Sequence, residues 1–256
     1  MAFWLERCAG CGACVEACPE DALGLVDGKA LRDYDRCRVC GKCVQACAHR
    51  AQEIIGKEAE TEEIVEQVMR DAPFFEDSGG GVTITGGEPT FQKEFLLELL
   101  AAFKQRGIHT AIETCGFFPR ELIPELAETT DLFLYDLKHM DREKHVQATG
   151  GDNERIKENF RELLARAGSA RLVPRIPLVP GFNTDDEAVR AFALFLEQAG
   201  YQGPVHLMPY HSWARGKYER LGRGKAFREA GTLSESRLEE IAGIFADKGF
   251  EPELYG

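Results

Sequence analysis

Eight of the nine cysteines in this 256-residue chain lie within its first 47 residues. They form two runs with the same C-x2-C-x2-C-x3-C spacing: Cys8, Cys11, Cys14 and Cys18, then Cys37, Cys40, Cys43 and Cys47. This is the spacing of bacterial ferredoxins that carry two [4Fe–4S] clusters, because three thiolates of one short loop can then reach one cubane. We therefore predict two [4Fe–4S] clusters in the N-terminal segment.

The fourth cysteine of each run is expected to bind the other run's cluster, as in two-cluster ferredoxins. The predicted ligand sets are Cys8, Cys11, Cys14 and Cys47 for one cluster, and Cys37, Cys40, Cys43 and Cys18 for the other. Two structural zinc sites are the alternative. Zinc usually takes paired C-x2-C knuckles separated by a longer loop, which two runs of four cysteines fit poorly. We therefore favour iron–sulfur clusters.

Length and composition limit the classes of protein to which the chain can belong. It has no apolar run near the roughly 20 residues that a membrane helix needs, and no secretory signal is visible before Cys8. A net charge of −12 argues against general nucleic-acid binding. Clustered cysteines in a long chain without a signal favour metal-binding thiolates in the cytoplasm. We expect a cytoplasmic protein with neither a membrane nor a nucleic acid as partner.

After residue 57 the hydrophobic pattern alternates between helix and strand. Helices are predicted over residues 58–71, 92–106, 120–128, 153–167, 185–199 and 234–248. Strands are predicted over residues 82–85, 108–113, 131–136, 171–177 and 205–208, with a last one over 250–255. This alternation predicts an α/β fold with a parallel sheet, open or part of a barrel. The predicted domains are a ferredoxin-like module, 1–57, and a partial (β/α) barrel, 58–256.

The predicted strands present polar residues or a glycine pair in turn, within them or at their ends. These residues are Gly86, Gly87 and Glu88, then Glu113, then Asp136 and Lys138, then Arg175, and last His211. Functional groups of parallel α/β folds lie at these strand ends. Taken singly, each has a plainer interpretation: a turn, a surface ion pair or a surface histidine, as for His49, His109, His139 and His206. Cys115 is expected to be a small buried residue. Their convergence is what indicates a site.

The sequence resembles the glycyl-radical enzyme activating enzymes of the radical S-adenosylmethionine (radical SAM) superfamily. The most specific stretches span residues 78–89, 111–116, 136–150, 175–183 and 209–222. The two-cluster insert also fits, since one branch of that family carries it. The resemblance covers essentially the whole chain and implies a partial (β/α)6-type barrel behind the insert.

The resemblance also implies a function. In that family SAM is cleaved reductively, and the resulting 5′-deoxyadenosyl radical takes a hydrogen atom from a glycine of a partner enzyme. Gly86, Gly87 and Glu88 look like the motif that holds the SAM amino group. Glu113, Asp136, Lys138, Arg175 and His211 sit where the family places other SAM or cation contacts. The insert clusters look like an electron relay. A glycyl-radical enzyme is the implied protein substrate, and a flavodoxin- or ferredoxin-type protein the implied electron donor.

One feature of the family is missing from these 256 residues: the C-x3-C-x2-C run that binds the SAM cluster. The only cysteine outside the two runs is Cys115, and one thiolate cannot hold a cubane. We expect the N-terminus to be incomplete, through a miscalled start or a truncation, and the chain as it stands not to cleave SAM. A third cluster is expected only in a longer form. The rival hypothesis is a non-catalytic iron–sulfur protein that transfers electrons or binds a partner.

Anaerobically reconstituted protein should hold about eight irons and eight acid-labile sulfides per chain, because each predicted cubane contains four of each. Chemical iron and sulfide assays measure this directly. About twelve irons would reveal a third cluster with unforeseen ligands. Stoichiometric zinc without charge-transfer absorbance would overturn the iron–sulfur prediction.

Overall fold

The computed structural model describes residues 1–255 and divides into two compact units. The first contains Met1–Glu58 together with His211–Glu229. The second contains Ala59–Tyr210 and the segment from Ala230 onward. The domain boundary predicted between residues 57 and 58 stays a prediction. No helix among the described residues is long and apolar enough to cross a membrane.

The strands, in chain order, are β1 (Ala2–Phe3), β2 (Leu23–Val26), β3 (Lys29–Arg32), β4 (Gln52–Glu53), β5 (Gly81–Ile84), β6 (His109–Thr114), β7 (Leu132–Asp136), β8 (Leu172–Leu178), β9 (Pro204–Pro209) and β10 (Glu251–Leu254). The α-helices are α1 (Ala13–Glu16), α2 (Lys42–Gln45), α3 (Thr61–Met69), α4 (Ala72–Ser78), α5 (Lys93–Gln105), α6 (Ile123–Thr129), α7 (Arg142–Thr149), α8 (Glu154–Ala167), α9 (Asp186–Ala199), α10 (Ala214–Arg220) and α11 (Glu235–Ala246).

The first unit is built on two small antiparallel pairs, β1 with β4 and β2 with β3. Its helices α1 and α2 each lie inside one cysteine run and each follow a glycine in the left-handed region, Gly12 and Gly41. A side chain would be strained at both positions. The buried core here is small and includes Cys14 and Cys43 themselves. So little buried apolar surface makes this unit dependent on what its cysteines bind.

The second unit is a parallel sheet of six strands in the order β10-β9-β8-β7-β6-β5. Strands that follow one another along the chain are neighbours in the sheet and pair in parallel. The predicted α/β class with a parallel sheet is confirmed, including the last strand. Helices α5, α6, α8, α9 and α11 bury apolar faces in one large core with the sheet.

Besides the two short helices inside the cysteine runs, the sequence pattern missed three helices: α4, α7 and α10. Each lacks the apolar spacing that identifies a helix packed on a core. The one buried residue of α7 is His145, and α4 and α10 bury none. Asp141 caps the N-terminus of α7, since its carboxylate accepts a hydrogen bond from the Lys144 amide at 2.8 Å.

The substitution Cys14→Ala should lower the iron content and make residues 1–58 sensitive to protease. The thiol is buried in a unit with little core of its own, so loss of a cluster removes much of its folding free energy. Limited proteolysis followed by mass spectrometry locates the cuts. Cys115→Ala, outside the runs, is the control that should keep the wild-type pattern. If Cys14→Ala made the parallel sheet as sensitive to protease as residues 1–58, the two units would not fold independently.

Candidate active site and iron–sulfur centres

The eight thiols of the two cysteine runs surround two separate cavities. The first cavity is lined by Cys8, Cys11, Cys14 and Cys47. The second cavity is lined by Cys18, Cys37, Cys40 and Cys43. No three of the described His, Cys, Asp or Glu side chains converge on a single-ion site. Four thiols around a cavity suit a cubane.

Hydrogen-bond donors approach several of these sulfurs. The backbone amides of Ala22 and Ala51 lie 3.3 and 3.2 Å from the Sγ atoms of Cys18 and Cys47. Such donors stabilise thiolate ligands of iron–sulfur clusters and adjust the reduction potential. The residues present therefore fit two [4Fe–4S] clusters, and the cluster cofactors follow from the chain's own donor set.

The tight folding of the first run explains one of its glycines. Gly10 has a φ of +72°, and a Cβ there would lie 2.2 Å from the carbonyl oxygen of Gly28. No other residue can occupy this position without moving the β2–β3 turn. The glycine thus fixes the distance between the first cysteine run and the hairpin that carries Arg32.

In the second unit, the loop after β5 is held by the carboxylate of Glu88. One oxygen, Oε1, accepts hydrogen bonds from the amide and hydroxyl of Thr90 at 3.2 and 2.7 Å, and from the Thr114 hydroxyl at 2.9 Å. The other, Oε2, accepts from the amide of Cys115 at 2.8 Å. All four donors belong to the chain itself. Glu88 therefore ties the glycine loop after β5 to the end of β6.

The two glycines before Glu88 lie open. Gly86 and Gly87 are exposed, and a Cβ at either position would meet no atom within 4 Å. Gly86 has a φ of +143°, which residues with a side chain rarely adopt. Their backbone groups are therefore accessible to a ligand at the carboxyl edge of the sheet.

Three of the predicted site residues form one ion-pair network across β6, β7 and β8. The Arg175 guanidinium donates to Glu113 Oε1 at 2.7 Å, and twice to Asp136 Oδ1 at 2.9 and 2.8 Å. Glu113 also accepts from the Thr85 hydroxyl at 2.8 Å. The Arg175 side chain is only 14% exposed, so this charge needs its carboxylate partners.

Burial acts on both carboxylates of this network, with different outcomes. It raises the pKa of Asp136 above its ordinary value, although the neighbouring Arg175 opposes the shift. At Glu113 burial has the same direction, but hydrogen bonds from Arg175 and Thr85 outweigh it and lower the pKa. Burial also disfavours the charge on Arg175, yet bonding to the two carboxylates raises its pKa. The guanidinium therefore stays charged and Glu113 ionised at neutral pH.

Buried asparagines fix the loops that leave this edge of the sheet. The amide of Asn183 donates to the carbonyls of Lys138 and Pro177 at 2.9 and 2.7 Å. Asn153 donates to the carbonyls of His139 and Met140, both at 2.9 Å. Sequence reasoning missed these positioning roles. A polar residue within an otherwise apolar helix or loop was the available signal.

Asn159 plays the same part for the loop after β6. It lies within α8 and donates to the carbonyls of Gly116 and Phe118, both at 2.9 Å.

A cavity at this edge of the sheet is lined by Cys115, Phe117, Lys138, His145, Thr149, Gly150, Gly151 and Ile156. Lys138, a site residue predicted from the third strand, thus lines a cavity together with Cys115 and His145. Burial and the Glu88 carboxylate raise the pKa of the Cys115 thiol to about 11.

The structure changes the expectation for one histidine. The prediction that His139 lies at the surface is wrong, because the residue is only 3% exposed and its Nδ1 accepts a hydrogen bond from the Asp141 amide at 2.9 Å. His206 lies in β9 opposite Arg175 and contacts Glu253 of β10 at 3.5 Å. The exposed His211 belongs to the first unit, where its ring stacks against Trp213. The structure thus brings Glu88, Glu113, Asp136, Lys138 and Arg175 to one edge of the sheet.

Comparison with known proteins agrees with this architecture. The radical SAM superfamily model matches residues 36–193, and the 4Fe-4S dicluster domain model matches residues 7–52. A domain of pyruvate-formate lyase-activating enzyme from Bacteroides vulgatus superposes with a TM-score of 0.58 at 32% identity, covering 70% of this chain and all of that one. A radical SAM methyltransferase from Sphaerobacter thermophilus shares the fold, with a TM-score of 0.60 at 17% identity over 82% of this chain and 61% of that one. The fold is that of a radical SAM protein that carries a two-cluster module.

Two relatives narrow the class. The trans-4-hydroxy-L-proline dehydratase activating enzyme of Clostridioides difficile is 40% identical over 98% of this chain and 83% of its own length. The choline trimethylamine-lyase activating enzyme of Oleidesulfovibrio alaskensis is 38% identical over 91% of this chain and 77% of its own. The chain belongs to the glycyl-radical enzyme activating enzymes. Its activity is therefore oxidoreductase chemistry on a glycyl-radical enzyme, with SAM and iron–sulfur clusters as cofactors.

The substitution Glu88→Gln should lower stability by about 1–2 kcal/mol, because an amide cannot accept all four hydrogen bonds that the carboxylate accepts. For a domain of this size each kcal/mol lowers Tm by about 2–4 °C. Glu94→Gln, at an exposed carboxylate in the first turn of α5, is the matched control and should change Tm little. Equal Tm values for the two variants, measured by circular dichroism, would contradict the bonding role of Glu88.

In cluster-loaded protein, Cys115 should react slowly with iodoacetamide at pH 8. A pKa raised from 9.0 to about 11 reduces the fraction of reactive thiolate at pH 8 about a hundredfold. The reaction rate should therefore keep rising until the pH reaches that pKa. Mass spectrometry of timed samples gives the rate, with the chain unfolded in denaturant as reference. A native rate at pH 8 equal to the unfolded one would contradict the raised pKa.

Proposed function

We propose that this protein binds SAM at the carboxyl edge of its parallel sheet, next to the Arg175 network, and activates a partner glycyl-radical enzyme there. On one-electron reduction, SAM held there would give methionine and a 5′-deoxyadenosyl radical, and that radical would take one hydrogen atom from a glycine of the partner, leaving a glycyl radical and 5′-deoxyadenosine. The observation that carries the proposal is the alignment of Glu113, Asp136 and Arg175 beside the open glycines after β5.

The proposed contacts are divided by chemistry. Gly86 and Gly87 offer backbone carbonyls to the SAM ammonium, and Glu88 holds their loop in place through its four internal hydrogen bonds. Glu113, Asp136 and Arg175 supply polar groups of both signs to the nucleoside or to a cation. Lys138 faces the neighbouring cavity, where an anionic group would pair with its ammonium. His211, which follows β9 in the chain, stays a contact predicted from the sequence.

The eight cysteines of the two runs are proposed as the cluster ligands, in the crossed sets that line the first and second cavities. Clusters held by these cysteines would relay electrons one at a time from a flavodoxin- or ferredoxin-type donor. We also propose residues 1–57 as the module that carries them, and a cytoplasmic location, where thiolate ligands stay reduced. The proposed target is a glycyl-radical enzyme, the class to which the relatives' names point.

The Gly87→Ala variant should bind SAM at least tenfold more weakly than the wild type, while keeping its Tm. The added methyl group meets no protein atom within 4 Å, so it fills space that only a ligand would use. Gly243→Ala, within α11 and equally free of contacts, is the matched control. Equilibrium dialysis with labelled SAM measures the affinity. Unchanged affinity in Gly87→Ala would remove the glycine loop from the proposed site.

Residues 1–256 contain no C-x3-C-x2-C run, so the chain tested alone should yield no 5′-deoxyadenosine under dithionite. A form extended to include such a run should yield it. Chromatography of the quenched reactions detects the product from both lengths of protein. Turnover by the 256-residue chain would mean that a cluster of the N-terminal module takes over the SAM role. Failure of both forms would favour the rival, non-catalytic electron-transfer function.

A further inference from the structure

The two cluster cavities are built by an internal repeat. After the fourth cysteine of each run the chain turns so that the amide four residues on donates to that cysteine: Ala22 to Cys18 and Ala51 to Cys47. The two distances, 3.3 and 3.2 Å, are nearly equal. In each repeat the next residue then begins a strand, Leu23 of β2 or Gln52 of β4.

The strand pairings show where the two repeats differ. Leu23 lies opposite Arg32, whereas Gln52 lies opposite Phe3. Arg32 and Phe3 therefore occupy equivalent places in the two repeats. Phe3 lines the first cavity and Arg32 lines the second. One repeat thus places an apolar ring beside its thiols, and the other places a cation there.

The cation lies in direct contact with cluster ligands. Arg32 is only 9% exposed, and its guanidinium donates to Cys37 Sγ at 3.0 Å and to Cys43 Sγ at 3.5 Å. The same group donates to Gln52 Oε1 at 2.5 Å, while Gln52 Nε2 lies 3.9 Å from Cys14 Sγ of the first cavity. Among residues 1–255 no carboxylate forms an ion pair with Arg32. A buried cation needs negative partners, and the thiolates supply them.

Other charges near the cavities do not reproduce this contact. Glu20 and Arg38 also line the second cavity, but they are exposed and pair with one another at 4.0 Å. On the side of the first run, the Lys29 ammonium donates to the carbonyl oxygens of Leu5 and Cys8, at 3.4 and 2.6 Å, and to no sulfur. Arg32 is therefore the buried charge that touches ligand sulfur.

We propose that Arg32 makes the cluster of the second cavity the easier of the two to reduce, so that the first electron entering the module rests there. Reduction adds one negative charge to a cluster that four thiolates already make anionic. A guanidinium hydrogen-bonded to two of those thiolates stabilises the added charge, and burial keeps that attraction from being screened. Gln52 acts as a positioning residue that orients the guanidinium. The inference rests on the cysteine assignment proposed above.

The test is a potentiometric titration of the reconstituted 256-residue chain with dithionite, followed by electron paramagnetic resonance. The wild type should reduce in two one-electron steps. Cys40→Ser and Cys11→Ser, at the exposed second cysteines of their runs, assign the steps. Cys40→Ser should alter the higher step and Cys11→Ser the lower. The opposite assignment would overturn the proposal.

Arg32→Met removes the charge while keeping the length of the side chain. It should disfavour reduction in the higher step at least tenfold, a shift of about 59 mV for one electron, and leave the lower step in place. Lys29→Gln removes a charge from the same hairpin without touching a sulfur, and should leave the higher step unchanged. A shift below tenfold in Arg32→Met with wild-type iron content, or an equal shift in Lys29→Gln, would overturn the role of Arg32.

If Arg32→Met loses iron, Arg32→Lys and Gln52→Leu decide the question. Arg32→Lys keeps the charge without the planar fork, and Gln52→Leu introduces the residue found at the equivalent position of the other repeat. Both should lower the higher step by less than complete removal of the charge does, and unchanged steps in both would overturn the proposal. The iron content distinguishes a failure of the cysteine assignment from a failure of the Arg32 proposal. A wild type without about eight irons refutes the cysteine assignment, whereas eight irons with coincident potentials refute Arg32 alone.

Discussion

The parallel register of the sheet is the constraint on which the site depends. All six strands of β5–β10 run in the same direction, and neighbours in sequence are neighbours in space. Every loop that follows a strand therefore leaves from the same edge. Arg175 can reach Glu113 and Asp136 only because β6, β7 and β8 are adjacent and aligned. A shift of one residue in β8 would turn Arg175 to the other face of the sheet.

The loops at this edge are held by polar side chains whose groups are already satisfied within the chain. Glu88 joins two loops, and Asn153, Asn159 and Asn183 hold three others through pairs of carbonyl groups. Such bonds fix a loop without adding bulk at its solvent side, where the glycines after β5 stay open. Preorganised backbone groups can then meet a ligand without the cost of ordering a flexible loop.

The N-terminal module is stabilised in a different way from the parallel sheet. Its own apolar core is small, and two of the four residues in that core are cysteines. Metal–thiolate bonds therefore replace hydrophobic burial as the main source of folding free energy. The internal repeat gives two nearly equivalent cavities, and the difference between Arg32 and Phe3 breaks that equivalence. An electron relay can use such an asymmetry, since it sets where an electron rests.

The sequence by itself determined the features that depend on residues close together in the chain. The spacing of the cysteine runs, the alternation of strand and helix, and the polar residues at strand ends could all be identified because their periods are local. The tertiary structure decided the pairings. Contacts such as Arg32 with Gln52, Glu88 with Thr114 and Arg175 with Glu113 span 20, 26 and 62 residues. The burial of His139 and the grouping of His211–Glu229 with the first unit are likewise set at long range. No local pattern encodes such pairings, because strand register and loop packing are properties of the folded chain as a whole.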